Sequence, residues 1–308
     1  MRKRKAFPEL REKVPQKRRR LKYIAILPSL VTLMNGLCGF MAIIMTSRGL
    51  GTVWRPFLLP RVSISFFAFA GYLIFLGMIA DVLDGHVARI SKSTSSFGAQ
   101  LDSLCDVITF GIAPAFLMLR LVEVHFHQFR FKSDQLNTLF GRAVILIAII
   151  YAMCAVIRLA RFNVENVENK EDDTSHLSFA GLPSPPAAGV IVSLVIFQQD
   201  FLPKIVEWPS RSLHAFDLAT VWVLPIITLI AGLLMVTRIP YPHVVNRILR
   251  GRKRFSTFLL VVFTLLLTIW NIQLAMVLGF TVFVLYGIIR WFIFIVTPRK
   301  AEVKADIP

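Results

Sequence analysis

The 308-residue chain is predicted to fold as an all-α, polytopic transmembrane bundle of about eight spans, with a polar cavity facing the cytoplasm. Three observations carry that prediction. Hydrophobic residues make up 56% of the chain and the mean hydropathy is +0.65, beyond the usage of ordinary soluble domains. Stretches of about 20 apolar residues, the length a helix needs to cross the hydrocarbon core, recur along it. The 35 Lys and Arg residues gather between those stretches, and mainly in alternate segments. A charge of +17 in a soluble protein would suggest nucleic acid. Here the basic residues flank apolar spans, so the lipid bilayer is the expected partner and nucleic acid is not.

Residues 1–22 hold eleven Lys or Arg and two Glu. They read as a cytoplasmic arm, either attracted to anionic headgroups or serving as a plain topology signal. The basic start (Arg2, Lys3, Arg4, Lys5) leads into polar residues, so no cleavable signal peptide is expected. Spans follow at about 24–46, 64–83, 99–121, 143–161, 184–201, 217–237, 255–271 and 274–296. With the N-terminus inside, 26 Lys and Arg fall on the inner side and 9 on the outer, as the positive-inside rule requires. Arg247, Arg250, Arg252, Lys253 and Arg254 anchor the sixth loop, and the polar tail 299–308 is also placed inside. Pro183, Pro185 and Pro186 suit a helix start, where a missing N–H costs nothing. Cys38, Cys105 and Cys154 all lie in apolar stretches without a CxxC, which argues against a disulfide framework or a zinc site. There is no internal repeat and no low-complexity tract.

The chemistry concentrates where the second span ends and the third begins, in DVLDGHVARISKSTSSFGAQLDSLCD from Asp81 to Asp106. Asp81 and Asp84 are three apart, Asp102 and Asp106 four apart, so on helices each pair shares a face. A short inner connection lets the pairs converge just within the interface. Converging carboxylates repel one another in a low-dielectric site and need cations. An all-oxygen donor set suits hard divalent ions, Mg²⁺ or Mn²⁺, and two of them can clamp a pyrophosphate. Gly85 and Gly98 fit places where backbone meets a phosphate closely, and Arg89 can pair bidentately with one. The Ser91–Ser96 run suits a wet interfacial loop.

These residues spell D-x2-D-G-x2-A-R-x8-G-x3-D-x3-D, with Asp81, Asp84, Gly85, Ala88, Arg89, Gly98, Asp102 and Asp106 at its eight defined positions. The pattern resembles the signature of the CDP-alcohol phosphatidyltransferase family. The resemblance implies that Asp81, Asp84, Asp102 and Asp106 hold two divalent ions. It also implies that Asp84, Gly85, Ala88, Arg89, Gly98 and Asp102 line a CDP site. Asp106 would in addition be the general base that takes the acceptor's hydroxyl proton, and CMP would leave. Residues 23–200 would form the catalytic core and 201–298 the C-terminal spans.

Three further stretches are LPSLVTLMNGLCG (27–39), RLARFNV (158–164) and FAGLPSPPAAG (179–189). They resemble the bacterial, membrane-embedded phosphatidylserine synthase branch of that family. This implies CDP-diacylglycerol as donor, L-serine as acceptor, a bacterial inner membrane and a homodimer. Arg158 and Arg161, three apart at the inner end of a span, either hold the lipid phosphate or serine carboxylate, with Asn163 adding a hydrogen bond, or snorkel as topology anchors. Thr32 and Asn35 either line the nucleotide pocket or join helices. His86 occupies a variable motif position. His125 and His127 form an HxH expected in an outer loop, solvated or metal-binding. Trp270 and the stretch from Trp291 to Phe294 are expected to face lipid.

Two competing readings remain. Within the family, the acceptor would be glycerol-3-phosphate, inositol-phosphate or choline; a phosphorylated acceptor wants a denser basic pocket than two arginines. Outside it, a transporter would explain intramembrane carboxylates, but it predicts inverted repeats and broken helices and leaves the glycines, Arg89 and the motif spacing unexplained. A catalytically dead scaffold would lack a motif aspartate. No H-x-K-x4-D pattern supports phospholipase-D-like chemistry.

Overall fold

In hydrocarbon every backbone N–H and C=O has to be bonded within its own segment, so long apolar runs become helices. The computed structural model describes residues 16–49, 53–54, 64–91, 96–128, 138–168, 179–205, 210–241 and 264–296. Helix α1 is Gln16–Ser47 and α2 is Phe66–Ser91. Helix α3, Ser96–Asp106, passes through a π-helical stretch, Val107–Ile112, into α4, Ala113–Gln128. Helix α5 is Leu139–Glu168. Helix α6, Ser184–Ile196, runs through a second π-helical stretch, Phe197–Phe201, into α7, Leu202–Ile205. Helix α8 is Ser210–Val236, and α9 is Ile272–Val296. Strand β1 (Val53–Trp54) pairs antiparallel with β2 (Ile64–Ser65), and β3 (Phe179–Ala180) with β4 (Pro240–Tyr241).

The protein is an all-α polytopic bundle. Among the described residues, six segments are long and apolar enough to cross a membrane: Ser29–Ser47, Phe66–His86, Phe97–Phe126, Leu139–Val164, Phe216–Val236 and Ile272–Phe292. They correspond to six of the eight expected spans. The fifth expected span is the α6 segment, and of the seventh, residues 264–270 are described and helical. The basic residues 1–15, the cluster Arg247 to Arg254 and the tail 299–308 lie outside the described residues.

Helix α6 is apolar all round and accordingly sits in the centre, packed by α2, α4, α8 and α9. Ala187, Ala188, Gly189, Val190, Ile191, Val192, Ser193, Val195 and Ile196 are all buried. Helices α1 and α2 pack along each other, and α1 also meets α3 and α4. Without water to drive association, such contacts depend on close packing of small residues. A Cβ at Gly39 would stand 2.5 Å from Thr109 Oγ1, and one at Gly36 would stand 2.8 Å from Cys105 Sγ. The outer faces of α1, α5, α8 and α9 expose Leu, Ile, Val and Phe, with Trp270 at 88% exposed, as lipid-facing surface requires. Cys38, Cys105 and Cys154 are buried free thiols.

One expectation is overturned. His125 does not lie in a solvated outer loop. The third span continues to Phe126, and His125 is buried at 3% exposed. Leu121, Val122 and Phe126 extend the apolar face past Glu123, so the helix carries His125 into the bundle. The side chain of His127 lies outside the described residues.

Candidate active site

Asp81 and Asp84 sit in the penultimate turns of α2, and Asp102 and Asp106 in the last turns of α3. Helical spacing turns each pair to one side, and α1, packed against both helices, closes the site from behind. One carboxylate oxygen from each of Asp81, Asp102 and Asp106 lies within 4.8 Å of the others. Asp106 is buried at 7% exposed, whereas Asp81 and Asp102 are partly open. Asp84, also buried at 7%, accepts at Oδ2 from Thr32 Oγ1 and lies within electrostatic reach of Asp81 and Asp102. Asn35 Nδ2 donates to Asp106 Oδ1 at 2.9 Å. Thr32 and Asn35, one turn apart on α1, therefore reach one aspartate of each pair.

Three like charges this close repel by about 3–4 kcal/mol per pair at an effective dielectric of ~20. Among the described residues, neither Asp81 nor Asp102 has a hydrogen-bond donor. Arg158 on α5 lies within electrostatic reach of Asp81 and Asp106. A hard divalent cation fits this all-carboxylate donor set.

The glycines differ from one another. Among the described residues nothing stands within 4 Å of where a Cβ on Gly85 would be, while Gly98 is partly buried in α3. Ala88 and Arg89 lie in the last turn of α2, and their side chains fall outside the described residues, as do residues 92–95 of the serine-rich connection. His86 is exposed.

The stretch RLARFNV lies on α5. Arg158 Nη1 donates to Ser184 Oγ at 2.6 Å, at the start of α6. Arg161 Nη1 donates to Val236 O at 3.1 Å, capping the end of α8. Asn163 Nδ2 donates to Ser103 Oγ at 2.9 Å, which ties α5 to the motif helix between Asp102 and Asp106. Gly181 makes the turn before α6 at φ +90°, where its N–H donates to Ile239 O at 2.9 Å. A Cβ there would stand 2.5 Å from Met235 O. Ser103, Thr109 and Ser184 carry no signal in the sequence. Their hydroxyls are ordinary polar residues in apolar runs, and only their partners distinguish them. The structure brings Thr32, Asn35, the four aspartates and Arg158 to one end of the bundle. Arg158, Arg161 and Asn163 each bond to a neighbouring helix, α6, α8 and α3 in turn, and Arg158 also lies within electrostatic reach of Asp81 and Asp106.

Comparison with known proteins agrees with the motif. The sequence model of the CDP-alcohol phosphatidyltransferase family matches residues 25–223. A Helicobacter pylori protein named CDP-diacylglycerol–serine O-phosphatidyltransferase is 32% identical over 225 residues, covering 73% of this chain and 80% of the relative. A Methanocaldococcus jannaschii protein of the same name is 32% identical over 176 residues, covering 57% of this chain and 65% of its own. A Saccharomyces cerevisiae protein of that name is 31% identical over 166 residues, covering 53% and 51%. The signature, the carboxylates it brings together and a match over most of the apolar core converge on one statement: the chain belongs to the CDP-alcohol phosphatidyltransferase family.

Proposed function

We propose that the protein transfers the phosphatidyl group of CDP-diacylglycerol to the hydroxyl of L-serine, giving phosphatidylserine and CMP. The observation that carries this is the convergence of Asp81, Asp102 and Asp106 within 4.8 Å. It occurs in a chain whose relatives over up to 225 residues bear the serine-transferase name. Asp81, Asp84, Asp102 and Asp106 would hold two divalent ions, Mg²⁺ or Mn²⁺. When bound, such ions neutralise a pyrophosphate and stabilise the attacking and leaving oxygens of a displacement.

The chain's own residues would do the rest. Asp84, Gly85, Ala88, Arg89, Gly98 and Asp102 line the CDP site. Asp106 takes the proton from the serine hydroxyl. The hydroxyl oxygen bonds to the β-phosphorus, the bond from that phosphorus to the bridging oxygen breaks, and CMP leaves with the electron pair. Arg158, already near the aspartates, pairs with the serine carboxylate or the lipid phosphate. Arg161 and Asn163 support that side of the pocket by fixing α8 and α3 against α5. Thr32 and Asn35 line the pocket from α1. The charge bias supports an inner-membrane placement with both termini cytoplasmic, and the family likeness supports a homodimer.

The test is CMP release by detergent-purified protein given CDP-diacylglycerol, Mn²⁺ or Mg²⁺, and one acceptor at a time. Release requiring both L-serine and metal is expected. Release only with glycerol-3-phosphate, inositol-phosphate or choline would retain the reaction and overturn the acceptor.

A further inference from the structure

The four aspartates are not equivalent in this structure, and α1 distinguishes them. Thr32 bonds to Asp84, outside the carboxylate trio, and Asn35 reaches into the trio to hold one oxygen of Asp106. Asn35 is itself fixed on several sides. It is fully buried, at 0% exposed. Its carbonyl oxygen accepts from Thr109 Oγ1 at 2.9 Å, and Thr109 lies in the π-helical stretch that starts directly after Asp106. A Cβ on Gly77 would stand 3.0 Å from Asn35 Oδ1 and 2.6 Å from Thr109 Cγ2, so the bare backbone of α2 is what lets this arrangement close.

The Asn35 amide has one sensible orientation. Its N–H group faces the Asp106 carboxylate, while its own Oδ1 is buried with no hydrogen-bond partner among the described residues. Turning the amide round would set oxygen against oxygen. A leucine of similar size would fill the same space without an unmet Oδ1 of its own, so what asparagine adds here beyond packing is the donor to Asp106. An unmet buried polar atom of this kind calls for a reason, and the one in contact is Asp106. An amide N–H can give a hydrogen bond to a carboxylate oxygen but cannot take its proton. It therefore keeps Oδ1 in the acceptor role and turns the other oxygen toward the site.

We propose that Asn35 is the positioning residue for Asp106: it pins Oδ1 and so dedicates Oδ2 to receiving the acceptor's proton. This rests on the reading of Asp106 as the base, and goes beyond a pocket-lining role for Asn35. The π-helical stretch from Val107 has a matching part, since it delivers Thr109 to the Asn35 backbone; π-bulges of this sort recur at functional sites.

The experiment compares Asn35→Ala, Asn35→Leu and Asp106→Asn with the parent protein in detergent. Asn35→Leu removes the donor while keeping volume, and its melting temperature beside that of the parent shows whether it is folded. In Asn35→Leu, kcat is expected to fall by on the order of 10²-fold. Both KM values should stay within about threefold, the pattern of an interaction made in the transition state and not on binding. The rise in melting temperature on adding Mn²⁺ with CDP should match that of the parent, a readout independent of turnover. A parent-like kcat in Asn35→Leu beside an inactive Asp106→Asn overturns the positioning role and leaves the base in place. A KM or a Mn²⁺–CDP stabilisation that weakens in step with kcat makes Asn35 a binding group and also overturns it. Near-parental activity in Asp106→Asn removes the base itself, whatever Asn35 does.

Discussion

The two ends of the bundle both bury polar groups, yet they are built on opposite rules. At the end away from the aspartates, about 28 Å along α3 and α4 from Asp106 at 1.5 Å per residue, each carboxylate has an amide or hydroxyl donor, and among the described residues Gln198 Oε1 alone of this network is buried without a partner. Tyr72 Oη donates to Asp200 Oδ2 at 2.8 Å, and Gln273 Nε2 donates to the same oxygen at 3.0 Å. Gln198 Nε2 donates to Asp217 Oδ1 at 2.9 Å and lies 3.2 Å from His125 Nε2. His125 Nδ1, 2.8 Å from Leu121 O, must carry its proton there, because a carbonyl only accepts. The second π-helical stretch turns both Gln198 and Asp200 to the neighbouring helices, so the network joins α2, α4, α8 and α9 around α6. At the aspartate end, four carboxylates meet two hydroxyl or amide donors from α1 and leave Asp81 and Asp102 without one among the described residues. A network in which each carboxylate has its donor holds helices together. A mismatched cluster of one sign burdens the fold by mutual repulsion and calls for a cationic ligand.

The sharpest way to break this comparison is Asp102→Asn. It should lower turnover by on the order of 10²–10³-fold, as loss of one electrostatic clamp does. The same variant, stripped of metal with chelator, should melt at a higher temperature than stripped parent protein, because removing one charge relieves repulsion of about 3–4 kcal/mol per pair. A metal-free variant that melts lower would mean the carboxylates do not oppose one another in the fold. Asp200→Ala should do the reverse. It leaves Tyr72 and Gln273 without their acceptor, so stability should fall by about 1–3 kcal/mol while turnover per folded molecule is retained. Denaturation followed in parallel with activity decides it, and a large loss of turnover would make the far network part of the catalytic machinery. The smallest contrast lies on α5. Arg158→Ala should raise the KM for serine or donor lipid by roughly 10- to 100-fold, the range of a charge-assisted hydrogen bond. Arg161→Ala should lower stability by about 1 kcal/mol through the lost α8 cap, with both KM values little changed. Equal KM effects in the two variants would place both guanidinium groups on substrate.

Much of the site is legible along the chain because it rests on local spacing. Asp81 with Asp84, and Asp102 with Asp106, fall on shared helix faces by arithmetic alone, and carboxylates in an apolar run stand out as costly. The six long spans are legible for the same reason, since length and apolarity are properties of a single segment. His125 shows the limit. Beside Glu123 and near His127 it reads as a loop, and its buried state depends on Gln198 and Asp217, which are remote in sequence.

The sequence by itself determined the membrane bundle, the two carboxylate pairs and the family, because each follows from composition or from residues within one or two helical turns. The tertiary structure decided the unequal standing of the aspartates. Thr32 meets Asp84 from 52 residues away and Asn35 meets Asp106 from 71. It likewise decided that Arg158 faces Ser184 and the aspartates while Arg161 caps a helix. Such pairings depend on how closely α1 can approach α2 and α3, which Gly36, Gly39 and Gly77 permit. No local pattern encodes that approach, because it is a property of two backbones packed together.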